Sequence, residues 1–147
     1  MEQVEFKNQV WILIRDITDR INGLFHPIID RYGLTMMQMR VLLEIRQADG
    51  CTVGSLGKRI CMAGANVSSL CKRLERAGLL ERSRDPKDER MVHIMLTEAG
   101  RRTIDEVDES ITRAFPPPGG EDAEAILCGM RRLSLLLQPY DSSDETL

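Results

Sequence analysis

The segment that most constrains the fold runs from Val67 to Arg101 and reads "VSSLCKRLERAGLLERSRDPKDERMVHIMLTEAGR". It opens with apolar residues at helical spacing, which stop at Gly78. Two short strand-like runs follow, "LLERS" and "MVHIMLT", and the turn between them holds Asp85-Pro86, a common turn former. That turn also carries Arg84, Lys87 and Arg90, more positive charge than a turn needs. The pattern predicts a helix followed by a β-hairpin with a cationic tip.

The remainder of the chain is predicted to be helical. Apolar residues spaced by three and four indicate a first helix, in which Pro27 should cause a kink or a restart near His26. This apolar stripe consists of Val10, Ile14, Ile17, Ile21, Leu24 and Ile28. Further helices are predicted at 36–48, at 53–60 after a Thr52 cap, at 65–77, from Thr97-Glu98 onward, and at about 121–137. The fifth helix should point Ile104, Val107, Ile111 and Phe115 inward, and "PPPGG" should end it.

Two short helices joined by a glycine-containing turn and followed by a hairpin predict a winged helix-turn-helix. The fold class is therefore mainly α with a small β-hairpin wing. The 147 residues are enough for one domain with a real core. The longest uninterrupted apolar stretch near the N-terminus, Val10 to Ile14, is too short for a signal peptide or a membrane span, so we expect a cytoplasmic protein without a membrane partner.

The charge distribution favours nucleic acid as a partner. The chain has a net charge of -3, but the stretch from Lys58 to Arg90 contains nine Lys and Arg against five Asp and Glu. A basic middle within an acidic chain is typical of a surface that attracts phosphates.

The fourth helix has two faces. Its buried face is predicted to consist of Val67, Leu70, Leu74 and Ala77. The opposite face carries short polar and cationic side chains suited to a major groove: Asn66, Ser68, Ser69, Lys72, Arg73 and Arg76. Taken alone, this helix could equally be a solvated amphipathic helix. The neighbouring cationic hairpin favours the interpretation as a recognition helix.

The segment from Tyr32 to Arg101 resembles the MarR family of winged-helix transcription regulators. The resemblance rests on the recognition helix, the "L-x-x-x-G-L-x-x-R" junction, the "D-P-x-D-x-R" wing and the "L-T-x-x-G" start of the next helix, all in this order. It implies that Ser68, Ser69, Lys72 and Arg73 face the groove. It also implies that Arg90 enters the minor groove from the wing tip, with Asp88 holding it through a charge-assisted hydrogen bond. One departure is Ala63-Gly64, where a Ser, Thr or Asp cap would be stronger.

The resemblance also implies a homodimer formed by the outer helices, acting on a palindromic operator. It gives a layout of a dimerisation helix at 1–34, a DNA-binding lobe at 35–100 and dimerisation helices at 101–140, in one structural domain. The composition of the tail at 141–147 predicts disorder. A repressor released by a small-molecule effector is expected. Plausible lining residues of an effector pocket between the dimer helices and the lobe are Trp11, Arg15, His26, Met37 and Met62, although ordinary core or interface roles suit each of them better.

Catalytic, metal and cofactor roles find little support. The chain has two histidines, His26 and His93, and no C-x-x-C, G-x-S-x-G or glycine-rich phosphate loop, so we expect no enzyme, no metal and no cofactor. The carboxylates Asp105, Glu106, Asp108 and Glu109 are interpreted as a solvated face.

Two alternatives remain open. The first is a redox-sensing regulator on the same scaffold, acting through Cys51, Cys61, Cys71 or Cys128. Small, partly buried hydrophobes are the simpler interpretation of the first three. None of the four lies in the N-terminal helix, where the family's peroxide sensors carry theirs. The second alternative is a winged helix used only for protein association, which would lack the clustered cations.

Overall fold

The computed structural model describes residues 3–138, and the chain divides into two compact units, one ending at Ala114 and the other beginning at Phe115. The first unit contains α1 (Gln3–Asp30), α2 (Met36–Ala48), β1 (Cys51–Thr52), α3 (Val53–Ile60), α4 (Gly64–Arg76), β2 (Leu80–Arg84), β3 (Val92–Leu96) and α5 (Glu98–Ala114), and the second contains α6 (Gly120–Leu136). The predicted fold class is confirmed. The predicted division into dimerisation and DNA-binding segments stays a prediction, and the tail at 141–147 lies outside the described residues.

Helix α1 is long and is only partly packed. It continues through Pro27 to Asp30, so the helix does not restart at the proline. Ile28 and Ile29 are buried near its end, whereas Trp11 is 72% exposed and Ile17 is 43% exposed. The apolar stripe of α1 therefore enters the core of this unit only at its C-terminal end.

The two helices that precede the recognition helix begin at reciprocal caps. The Thr35 hydroxyl accepts a hydrogen bond from the Gln38 N–H (3.2 Å), and the Gln38 side chain accepts one from the Thr35 N–H (2.9 Å). Thr52 and Ser55 repeat this arrangement at the start of α3, with both hydrogen bonds at 3.1 Å. These capping boxes satisfy two backbone donors each, and the predicted starts at Thr35 and Thr52 are confirmed.

The sheet has three antiparallel strands in the order β1-β3-β2. The predicted hairpin pairs Leu80 with Leu96 and Arg84 with Val92. Strand β1 was not predicted, since two residues are too few to show a strand period. It pairs Cys51 with Ile94 and thereby attaches the hairpin to the segment between α2 and α3.

The core of the first unit lies between α2, α3, α4, α5 and the inner face of the sheet. Its fully buried residues include Leu42, Ile45, Leu56, Val67, Cys71, Leu74, Leu80, Ile94, Ile104 and Val107. On α4 the prediction was partly wrong, because Cys71 is buried at 0% exposure while Leu70 is half-buried and Ala77 is exposed. On a helix, Val67, Cys71 and Leu74 lie on one face through their spacings of four and three.

Helix α6, the helix of the second unit, has no buried residue. Ile126, Leu127, Met130 and Leu135 are each at least half exposed. Phe115, predicted to point inward from α5, is instead 59% exposed just after that helix ends. Across residues 3–138, no helix combines the length and the hydropathy needed to cross a bilayer.

Candidate nucleic-acid interface

The outer face of α4 carries the side chains predicted to meet DNA. Asn66, Ser69, Lys72, Arg73 and Arg76 are exposed, and Ser68 lies half-buried at the edge of this face. Val67, Cys71 and Leu74 anchor the opposite face in the core. The apolar face of α4 therefore packs the helix onto the core, and its polar face is left accessible to solvent.

The turn before α4 is compact. Gly57 is buried in α3, and a Cβ at this position would lie 3.1 Å from the Met62 carbonyl oxygen. Cys61 closes α3 with a φ of 54°, in the left-handed region. Ala63 is the N-cap of α4 and makes no side-chain capping hydrogen bond, as its sequence indicated.

The junction between α4 and β2 explains two motifs. Gly78 adopts a φ of 76°, which favours glycine, and the next N–H, that of Leu79, donates to the Leu74 carbonyl (3.0 Å). The Thr97 hydroxyl donates to the Gly78 carbonyl (2.6 Å) and accepts from the Gly100 N–H (3.0 Å). Gly100 lies against the Leu79 backbone so closely that a Cβ there would overlap the carbonyl oxygen. The "L-T-x-x-G" motif thus fastens α5 to the end of the recognition helix.

Arg82, the arginine of the "L-x-x-x-G-L-x-x-R" junction, connects the wing to α4. Its Nε donates to Glu75 Oε2 at 2.8 Å, and its side chain is only 22% exposed. This contact fixes β2 against the recognition helix. Sequence reasoning did not assign Arg82 a role, and only its position in the junction motif marked it.

The wing tip is ordered by backbone contacts of two aspartates. The Asp85 N–H donates to the Met91 carbonyl (2.9 Å), which closes the hairpin. The Asp85 carboxylate accepts from the Lys87 N–H (2.8 Å) and lies 2.9 Å from His93 Nε2. The hydrogen bond with His93, followed by that from the Lys87 N–H, lowers the pKa of Asp85 below its ordinary value. Asp85 therefore holds the base of the tip in its ionised form.

Asp88 differs from the expectation. Its carboxylate accepts a hydrogen bond from the backbone N–H of Arg90 at 3.0 Å. Across residues 3–138, no carboxylate lies within 4.0 Å of the Arg90 guanidinium. The expected side-chain pair is therefore not formed, because the short Asp88 side chain caps the local turn instead. Asp88 positions the Arg90 backbone and leaves its guanidinium available.

The positive charges of this region fall into two groups. Arg59 pairs with Glu44 (3.2 Å) and Arg82 pairs with Glu75. The other seven cations between Lys58 and Arg90 have no carboxylate within 4.0 Å among the described residues. Arg59 and Arg82 thus form ion pairs within the fold, and the other cations give a positive surface on α3, α4 and the wing.

The residues considered for an effector pocket are scattered in the isolated chain. Trp11, Arg15 and His26 are exposed on α1, whereas Met37 and Met62 are half-buried, Met62 against the core. An open cleft lies elsewhere, between the end of α2, α3 and β3, and its lining includes Cys51, Arg59 and His93. Within the described part of the chain, no three His, Cys, Asp or Glu side chains are arranged to hold a metal ion.

The cysteines occupy different environments. Cys71 is fully buried, Cys51 is half-buried, and Cys61 and Cys128 are exposed. Burial raises the pKa of the Cys71 thiol to about 11 and also raises the pKa of Cys51. The interpretation as partly buried hydrophobes therefore fits Cys51. It underestimates the burial of Cys71, which is complete, and it is wrong for Cys61, which is exposed.

The chain is similar in sequence and in fold to known transcription regulators. Residues 34–92 match the model of the MarR family. The organic hydroperoxide resistance transcriptional regulator of Bacillus subtilis is 28% identical over 99 residues, 67% of either chain. The solved structure of Bordetella bronchiseptica BpsR, described as showing regulation of DNA binding by 6-hydroxynicotinic acid, is 31% identical, with a TM-score of 0.71 over 86% of this chain and 98% of that one. Overoxidised AbfR bound to DNA shares the fold, with 24% identity and a TM-score of 0.73 over 92% and 97% of the two chains.

The fold, the exposed recognition helix and the cationic wing define a winged-helix DNA-binding transcription regulator. The segment at 34–92, which contains α3, α4 and most of the wing, is of the MarR type.

Proposed function

We propose that the protein binds a palindromic operator in double-stranded DNA as a homodimer and represses transcription until a small molecule releases it. The observation that carries this proposal is the group of cations on α4 and the wing that have no carboxylate partner in the described structure. Such cations can neutralise phosphates without first breaking an internal ion pair.

The two parts of the interface have different roles in this proposal. Helix α4 enters the major groove, where Asn66 and Ser69 reach base edges and Lys72, Arg73 and Arg76 reach bases or phosphates. The wing reaches the adjacent minor groove with Arg90. The Arg82–Glu75 ion pair keeps the hairpin fixed to α4, so that both can contact DNA together.

The homodimer is supported by apolar surface that each unit leaves uncovered. On α1 this surface includes Trp11, Ile14 and Ile17, and on α6 it includes Ile126 and Met130. Exposed apolar patches of this extent are typical of association surfaces. A second copy of the chain is the expected occupant, because a two-fold dimer presents two recognition helices to a palindrome.

A small-molecule effector is supported by the likeness to BpsR, for which an effector of DNA binding is named. We place the effector pocket near Trp11, Arg15, His26, Met37 and Met62, where a second copy would be needed to complete it. We also place the protein in the cytoplasm, where it would meet DNA, and we expect it to act by binding and not as an enzyme.

Redox sensing is the second candidate, because the B. subtilis relative is named for organic hydroperoxide resistance. The thiol environments weigh against Cys51 and Cys71, since the thiolate is the reactive form and burial raises both pKa values. Cys61, in the turn before α4, and Cys128, on α6, are exposed and are therefore the positions at which this candidate would act.

Recovery of DNA fragments from a random duplex pool by the purified protein tests the proposal. We expect the retained fragments to share an imperfect palindrome. Lys72→Ala should weaken binding to that palindrome, whereas Arg113→Ala, which removes an exposed cation at the end of α5, should leave binding unchanged. Retention without a shared sequence, or equal affinity of all three proteins, would contradict the proposal.

A further inference from the structure

Charged side chains join α2 to α5 along one seam. Arg46 on α2 reaches two carboxylates of α5, with Nη1 at 2.9 Å from Asp105 Oδ1 and Nη2 at 2.9 Å from Asp108 Oδ2. Farther along the same seam, Arg101 on α5 lies 3.6 Å from Asp49, the C-cap of α2. The carboxylates expected to form a solvated face are therefore partly engaged in a contact between helices, a correction that only the tertiary structure could provide.

The geometry of this contact is more specific than that of a surface ion pair. The two nitrogens of one planar guanidinium bind carboxylates that lie three residues apart, almost one helical turn. The Arg46 side chain is only 28% exposed, whereas the pair of Arg102 with Glu98 on α5 is at 4.0 Å and largely exposed. The hydrogen bond with Asp108 makes the largest contribution to the raised pKa of Arg46.

The position of the contact matters because α5 leads out of the DNA-binding lobe. The start of α5 is fixed by Gly100 against Leu79, and its middle is anchored by Ile104 and Val107 in the core. Apolar packing of this kind resists separation of two helices but tolerates rotation and sliding better than a directional contact does. The two hydrogen bonds from Arg46 to Asp105 and Asp108 also fix the rotation of α5 about its own axis. Phe115 follows directly in the chain, and α6 begins five residues later, at Gly120.

We propose that Arg46 is a positioning residue for DNA recognition: by binding Asp105 and Asp108 together, it fixes α5 relative to the recognition lobe and thereby sets the spacing between the two half-sites. This inference rests on the proposed homodimer on a palindrome. Arg46 itself does not need to touch DNA in this role.

Operators with altered spacing test the inference. The probe is the palindrome that the wild-type protein selects from random duplexes, resynthesised with one base pair added or removed between the half-sites. Wild-type protein should lose at least tenfold in affinity on either altered duplex. Arg46→Met, which keeps an unbranched apolar stem but removes the guanidinium fork, should bind the selected duplex more weakly and reduce the discrimination between spacings severalfold.

Two further variants keep the test decisive if Arg46→Met folds poorly. Asp105→Asn changes an exposed carboxylate and should reduce the discrimination partially, while Arg46→Lys, a point charge without a fork, should restore it incompletely. Arg102→Met is the matched control on α5 and should retain the wild-type discrimination.

The outcomes separate this inference from the proposed function. If no palindrome is selected, the proposed function fails and the inference fails with it. If a palindrome is selected but folded Arg46→Met and Asp105→Asn discriminate spacing as the wild type does, the inference alone is wrong. A loss of thermal stability in Arg46→Met with unchanged spacing discrimination would assign Arg46 a merely structural role.

Discussion

At the scale of single residues, the acidic and the basic side chains of the wing tip have different roles. Asp85 and Asp88 accept backbone N–H groups and shape the tip, whereas Lys87 and Arg90 remain exposed. Because the aspartates form the turn itself, the arginine guanidinium has no competing partner among the described residues. The tip therefore leaves the Arg90 guanidinium exposed, as the proposed contact with DNA requires.

Arg90→Ala should weaken specific DNA binding by about 1–3 kcal/mol and lower the salt slope by about one per subunit. The reason is the loss of a guanidinium from a narrow minor groove, where the negative potential is enhanced. Folding should be unaffected, because Arg90 has no ion pair in the described structure. Titration of an operator duplex at several salt concentrations measures this, with Arg90→Lys as the variant that keeps the charge. Wild-type affinity of Arg90→Ala would show that the wing is not a probe for DNA.

The thiols should differ in reactivity by position. Cys61 is exposed, whereas Cys71 is buried with a pKa of about 11, so that almost none of it is thiolate at pH 7. Since the Cys71 thiol is half-ionised only at about pH 11, we expect an alkylating reagent at pH 7 to modify Cys61 readily and Cys71 only after unfolding. Mass spectrometry of the labelled peptides measures the order, and rapid labelling of native Cys71 would contradict it.

Operator binding should also withstand mild peroxide, and Cys51→Ala, Cys61→Ala and Cys71→Ala should each behave as the wild type does. Gel-shift titration before and after peroxide treatment measures this. Release of DNA by oxidised wild-type protein, with one variant resistant, would establish the redox alternative.

At the scale of elements, the interface depends on how α5, the α4–β2 junction and the wing meet. Thr97 and Gly100 connect α5 to Gly78 and Leu79, while Arg82 connects β2 to α4. These contacts join α5 and β2 to the C-terminal end of the recognition helix α4. A change at this point should disturb the whole lobe, although none of these residues is proposed to touch DNA.

Gly100→Ala should destabilise the protein by about 1–3 kcal/mol, because the added methyl group would overlap the Leu79 carbonyl and force the backbone apart. Gly54→Ala is the matched control, since a Cβ at that exposed helical position has nothing within 4 Å. It should be neutral or slightly stabilising, in line with the higher helix propensity of alanine. Chemical denaturation monitored by circular dichroism compares the two. Equal stability of the two variants would show that α5 can shift to admit a side chain.

At the scale of the whole molecule, the exposed apolar faces of α1 and α6 favour a homodimer. Ile28 and Ile29 are buried and anchor the C-terminal end of α1, whereas the side chains of Trp11 and its apolar neighbours on that helix are exposed. A chain that exposes this much apolar surface on long helices gains stability by association.

The purified protein should be a dimer at micromolar concentration, and the dimer should bind an operator with half-site centres about 10 bp apart. Light scattering measures the mass, and titration of an isolated half-site should give much weaker binding than the full palindrome does. A monomer in solution, or equal affinity for a lone half-site, would contradict this. Trp11→Lys should shift the equilibrium towards monomer, whereas Lys7→Gln on the same helix serves as the control.

The sequence alone determined the order of the elements and most of their boundaries. Thr35, Thr52 and Gly78 marked helix ends through local chemistry, because caps and left-handed turns depend on residues within a few positions of each other. The cationic face of α4 and the charged wing were likewise visible, since helical and strand periods place side chains on defined faces. These features also carried the resemblance to the MarR family.

Only the tertiary structure decided which charges meet. Arg46 pairs with Asp105 and Asp108 across about 60 residues of sequence, and no local pattern encodes such a distance. Strand β1 exists because β3 is available to pair with it, and Asp88 binds the Arg90 backbone because the folded tip brings that N–H close. Local chemistry therefore fixed the helices and the hairpin. Contacts between distant segments, which depend on how those elements pack, determined which charges form ion pairs and which remain unpaired among the described residues.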